Sequence, residues 1–149
     1  MDTRRILMAE DNTNDVELTL AVLEEYNLTN EVVVVRDGAE ALDYLYARGA
    51  FAGRPNGSPL LVLLDLKMPR VDGLEVLRQI RADAVLHHIP VVILTSSREE
   101  QDIVESYQLG VNAYVVKPVA FDQFMEAVRR LSLFWVLTNE PPPEMRRTP

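Results

Sequence analysis

Asp65 stands at the end of an apolar run, residues 60–64, and three further apolar runs also stop on residues able to do chemistry. Residues 6–9 deliver Glu10 and Asp11, residues 91–94 deliver Thr95, and residues 113–116 deliver Lys117 and Pro118. Carboxylates, a hydroxyl and an ammonium gathered on one rim suit a magnesium ion beside a carboxylate that accepts a phosphoryl group. Each residue alone has a plainer reading. Glu10 and Asp11 could open an acidic loop, and Asp65 could cap a helix. Ser97, two residues beyond Thr95, is expected to cap the helix that follows, and Lys117 could be a solvated strand end. It is their joint placement that points to a site.

Such placement requires an architecture. Short apolar runs bounded by turn signals and alternating with helical patterns read as buried parallel strands. Strands are expected near 4–9, 31–35, 60–64, 91–94 and 113–116. Helices are expected near 14–26, with Thr13 or Asn14 as cap, around Ala41, Leu42 and Leu45, and near 72–82, 98–109 and 121–137. Arg36, Asp37 and Gly38 read as a turn, and residues 49–59 as a polar loop. Right-handed crossovers then give an α/β fold: a flavodoxin-like, doubly wound, five-stranded parallel sheet of order 2-1-3-4-5 in a three-layer αβα sandwich. The strand ending in the ordinary Arg36 takes the edge. Ligands of such sheets bind outside the carboxyl ends of the strands, where the reactive residues lie. One domain is expected over 1–139, with a flexible Pro-rich tail over 140–149.

Composition narrows the chemistry. The formal charge of −8 over 149 residues argues against nucleic-acid or anionic-membrane binding and is compatible with divalent cations. Absence of cysteine removes disulfides, thiol catalysis and thiolate metal sites. No apolar stretch near the start is long enough for a signal sequence or membrane span, so a soluble, cytoplasmic protein is expected. Lys67 and Lys117 are the only lysines, every other cation being arginine, and both fall at the rim. A flexible point charge and a planar fork are not interchangeable around a small anion. His87 and His88 are adjacent and diverge on a helix end, which argues against a metal site there.

Glu10-Asp11, Asp65, Thr95 and Lys117-Pro118, with Met68-Pro69 and Gly73 after the aspartate, resemble the response-regulator receiver domain over roughly residues 4–137. The resemblance implies that Asp65 takes a phosphoryl group from a phosphohistidine on a sensor histidine kinase. It implies that Asp11 and Asp65, with the backbone carbonyl of Lys67, bind Mg²⁺ directly and that Glu10 reaches it through water. Lys117 and Thr95 would each meet a phosphoryl oxygen, and Pro118 resembles the family's cis-proline, which turns Lys117 back to the site.

Two positions depart from the commoner pattern. Lys67 and Ser97 stand two residues beyond Asp65 and Thr95, where receivers flank the path of the hydrolytic water. A cation at Lys67 that shields or tethers the phosphate would slow autodephosphorylation. The switch is expected to couple Thr95 to Tyr114, two residues before Val116, with Thr95 moving towards phosphate and Tyr114 turning inward.

The last expected helix carries an apolar run, residues 133–137, which no single helical face can bury in a monomer. Phe134, Trp135 and Leu137, together with Ile103, Val104 and Tyr107 on the fourth helix, suggest a homodimer across the fourth helix, fifth strand and fifth helix. The Trp-bearing helix and the segment 41–45 resemble stand-alone receivers paired with phytochrome-type kinases. No effector domain is expected after Leu137, so output would pass by protein contact or phosphorelay.

Three rivals remain. A phosphohydrolase with an aspartyl nucleophile normally places an acid two residues on, where Lys67 stands. A flavin or nucleotide binder would need a glycine-rich cradle, whereas the loop 10–13 is acidic. A degenerate receiver serving only as a dimeric interaction module is opposed by the full residue set.

Overall fold

The computed structural model describes residues 5–25, 32–54, 57–117, 122, 123, 126 and 129. Five strands, β1 (Ile6–Ala9), β2 (Val32–Val35), β3 (Leu61–Leu64), β4 (Val91–Thr95) and β5 (Ala113–Val116), form one parallel sheet of order β2-β1-β3-β4-β5. This is the order expected from the sequence. Alternate residues feed opposite layers, as the two-residue period of a strand requires. Leu7, Ala9, Val62, Leu64, Val91 and Ile93 meet α2 (Gly38–Leu45) and α3 (Gly73–Ala82) through Leu42, Leu45, Val76, Leu77 and Ile80. Ile6, Met8, Leu61, Leu63, Val92 and Leu94 meet α1 (Thr13–Glu25) through Val16 and Leu23. Helices on both faces make the three-layer sandwich, with α4 (Glu100–Gln108) beside β5.

Several boundaries differ from expectation for identifiable reasons. The cap of α1 is Asn12, whose Oδ1 accepts from the N–H of Asp15 at 3.0 Å, so Thr13 already lies inside the helix and Asn14 follows it. Asp37 is no mere turn residue. It caps α2, accepting from the N–H of Glu40 at 2.8 Å, and receives both Nε and Nη2 of Arg70 at 3.0 Å. Arg70 sits at φ 67, a left-handed conformation uncommon for a side-chain-bearing residue, and that two-pronged contact holds it there. Residues 49–54 are partly ordered: a 3₁₀ turn (Gly49–Phe51) packs Phe51 edge-on to Tyr44, while Arg54 donates to the carbonyls of Tyr44 and Leu45.

The fourth helix starts at Glu100, and its cap, Glu99, makes no side-chain capping bond. Ser97 therefore does not cap it directly, contrary to expectation. Of the last expected helix, Asp122, Gln123, Glu126 and Arg129 are helical. Phe134, Trp135, Leu137 and the tail lie outside the described residues.

Candidate functional site

The sheet sets its reactive residues at one level. Ala9 and Leu64 are in register, so Glu10 and Asp65 leave their strands side by side, and the N–H of Asp65 still donates to the carbonyl of Ala9 at 3.1 Å. Thr95 pairs with Val116, and the N–H of Lys117 donates to the carbonyl of Thr95 at 2.8 Å. Behind β3, a side chain at Gly73 would place its Cβ 2.2 Å from the carbonyl oxygen of Asp65. Only glycine lets α3 start this close.

Glu10, Asp65 and Thr95 are buried, whereas Asp11 is exposed at the rim. Carboxylate oxygens of Glu10, Asp11 and Asp65 all lie within 4.8 Å of one another. The Lys117 ammonium donates to Glu10, to Asp15 at 2.8 Å and to Asp65 at 3.3 Å. Asp15, on the first turn of α1, is a site member that the sequence reading missed. Its one available signal was an acid in the first turn of the helix that follows Glu10 and Asp11.

Burial raises the Glu10 carboxyl from 4.5 to about 7, with the Asp65 charge adding to it against the pull of Lys117 and the Asn12 N–H. Burial pushes Lys117 down, but its bonds to Asp15 and Glu10 and the Asp65 charge outweigh this and raise it from 10.5 to about 12. Lys117 is therefore fixed as a cation, while the Glu10 carboxyl is poised to take a proton near neutrality. Three carboxyl groups bonded to one ammonium, with Asp11 beside them, leave a negative excess. Hard oxygens so crowded fit a small divalent cation and would be poorly tolerated without one.

Thr95 ends β4 with its Oγ1 accepting from the N–H of Ser97 at 3.3 Å. Ser97 in turn donates its hydroxyl to Asp102 at 2.6 Å, and its carbonyl accepts from the Tyr114 hydroxyl at 3.0 Å. Lys67 places its Nζ 3.4 Å from the same Asp102 carboxylate, on α4, and its side chain is 64% exposed. Its backbone N–H lies 3.4 Å from Oδ1 of Asp65. The Lys67 ammonium is thus directed to α4, and Asp102, a second residue the sequence reading missed, joins the positions following Asp65 and Thr95. The Ser97 hydrogen bond holds the Asp102 carboxyl below its usual range against burial, and the Lys67 charge lowers it further. Pro118 lies outside the described residues. Ile103, Val104 and Tyr107 lie on α4, with Val104 46% and Tyr107 49% exposed.

The response regulator receiver domain family matches residues 6–129. The chain belongs to this family. Response regulator Rcp1 of Synechocystis sp. is 38% identical over 133 residues, 89% of each chain. A solved Mn²⁺-bound form of Rcp1 superimposes with a TM-score of 0.75 over 93% of this chain and 99% of that one, at 37% identity. The bacteriophytochrome response regulator AtBRR is 61% identical, with a TM-score of 0.84 over 94% of this chain and 100% of that one. The phosphorylated cyanobacterial phytochrome response regulator RcpA is 39% identical, with a TM-score of 0.76 over 95% and 99%. This receiver domain is thus related to phytochrome response regulators, and its Glu10–Asp11–Asp65 cluster is the acidic pocket in which receivers bind a divalent metal. No helix among the described residues is long and apolar enough to cross a membrane.

Proposed function

We propose that Asp65 accepts a phosphoryl group from the phosphohistidine of a sensor histidine kinase of phytochrome type. The carrying observation is a buried carboxylate at a strand end, 3.3 Å from a buried ammonium, inside a cluster of hard oxygen donors. An Asp65 oxygen forms the new bond to phosphorus while the P–N bond breaks, and the departing imidazole nitrogen keeps the electron pair. Lys117 donates to one phosphoryl oxygen and the Thr95 hydroxyl to another. Asp11, Asp65 and the Lys67 carbonyl would hold Mg²⁺, with Glu10 reaching it through water. When bound, the ion neutralises charge shared by acceptor and phosphoryl oxygens.

The protein then acts as a cytoplasmic signalling switch rather than a turnover enzyme. Thr95 and Tyr114 form its moving element, and both already bond to Ser97, which supports their coupling. Output leaves by protein contact or phosphorelay. A homodimer through α4, β5 and the following helix is the favoured face, supported by exposed Val104 and Tyr107 beside a groove of about 480 Å³ lined by Arg98, Tyr107, Tyr114 and Glu126.

Acetyl phosphate with Mg²⁺, followed by intact mass, is the test. One added phosphoryl group is expected, lost in Asp65→Asn and when the metal is chelated. Retention of the added mass in Asp65→Asn would reject the assignment.

A further inference from the structure

The Lys117 ammonium has three N–H donors and no more. All three are engaged: Glu10, Asp15 at 2.8 Å and Asp65 at 3.3 Å. If Asp65 is the acceptor, as argued above, a phosphoryl oxygen that seeks Lys117 must displace one of these partners. Asp65 carries the incoming group itself, so the donor it holds can pass to that group, and any further contact between Lys117 and the phosphoryl oxygens needs a second donor. Glu10 is 6% exposed at its side chain and would keep only the Asn12 N–H, at 3.1 Å, as a partner in a buried place. Asp15 is 30% exposed, begins a helix and can be rehydrated where it stands. Its position in the first turn of α1 also favours a negative charge without Lys117, through the unsatisfied N–H groups of the helix start.

We propose that Asp15 is a resting-state placeholder on Lys117, displaced when Asp65 is phosphorylated. It is a positioning residue. It occupies one donor of the ammonium before the phosphoryl group arrives and yields its place to a phosphoryl oxygen. The exchange leaves a free carboxylate on α1, so phosphorylation alters the charge of that helix face as well as the interior.

The chain has only two lysines, which makes the exchange directly visible. Protein grown on ε-¹³C-lysine gives two side-chain signals, one from buried Lys117 and one from exposed Lys67 as internal control. In the resting protein, Asp15→Asn should shift the Lys117 signal and leave Lys67 in place. After acetyl phosphate and Mg²⁺, the Lys117 signals of wild type and Asp15→Asn should coincide. A difference persisting at its resting size would overturn the proposal. Asp15→Asn should also be phosphorylated about three- to tenfold faster, since one negative charge facing the anionic donor is gone. Asp15→Glu should keep a rate near wild type, and a rate for Asp15→Asn at or below wild type would count against the exchange. Intact mass on the same samples separates the two assignments: an unmodified wild type rejects Asp65 as acceptor and the exchange with it, whereas a modified wild type with unmerged signals rejects the exchange alone.

Discussion

Lys117 and Lys67 are the same residue type, each close to the end of a rim-facing strand, and the structure uses them in opposite ways. Lys117 is 9% exposed at its side chain and is surrounded by Glu10, Asp15 and Asp65. Lys67 is 64% exposed and has one carboxylate partner, Asp102. In the first case the cation is the minority charge in a crowded anionic cluster and cannot leave without exposing its partners to one another. In the second the carboxylate is the buried member, steadied by Ser97, and the cation is an outer contact that water screens. Burial, not residue type, decides whether an ion pair near Asp65 supports the fold or only trims its edge.

The largest expected contrast comes from removing each lysine in turn. Lys117→Met should lower unfolding free energy by about 3 kcal/mol at neutral pH, because it strands buried carboxylates. It should also slow phosphorylation by acetyl phosphate about a hundredfold. Lys67→Met should stay within about 0.5 kcal/mol of wild type. Urea denaturation of both variants checks this, and equal losses would erase the distinction.

The Asp37–Arg70 contact lies between these extremes, with a buried carboxylate and an exposed guanidinium. Burial pushes the Asp37 carboxyl up, but Arg70 and the Glu40 N–H outweigh it and hold the carboxyl below its ordinary 3.8. A depressed value stabilises the fold above pH 3.8 and loses that contribution as the pH falls through the lower folded value. Asp37→Ala should therefore cost about 1 kcal/mol near neutrality, through the lost helix cap alone, and less as the medium is acidified below that range. A deficit that is independent of pH would show that only the packing of Asp37 mattered.

The smallest effect sharpens the role of Lys67. If its ammonium shields the phosphoryl group, it must first leave Asp102. Asp102→Asn should then lengthen the phosphoryl lifetime about twofold and Lys67→Asn should shorten it by a similar factor, read by loss of the added mass over time. Unchanged decay in both variants would make Lys67 a solvated edge charge.

The sheet, its strand order and the level of the rim were legible because buried strands announce themselves as apolar runs, and four of these ended on functional residues. The contacts made by Asp15, Asp102 and Asp37 were not. Each joins an acidic residue at a helix start to a cation far along the chain, and at such positions an acid also suits the helix itself. Local pattern therefore could not distinguish a capping or dipole-favoured acid from one in the site. The α1 cap was misplaced by one or two residues for a related reason, since Asn12, Thr13 and Asn14 are all good caps. The expected interface residues Phe134, Trp135 and Leu137 lie outside the described residues, so the proposed dimer face rests on α4 and β5.

The register of β3 on β1 has one more consequence. With Ala9 opposite Leu64, Asp65 clears the sheet by a single residue and faces Lys117. A slip of one residue would draw that carboxylate down opposite Ala9, between two dry layers of aliphatic side chains, and move every β3 side chain to the other layer. A chain misaligned in this way could neither pack its interior nor present an acceptor. On the role proposed for Asp65, competence to receive the signal is therefore a report on correct folding.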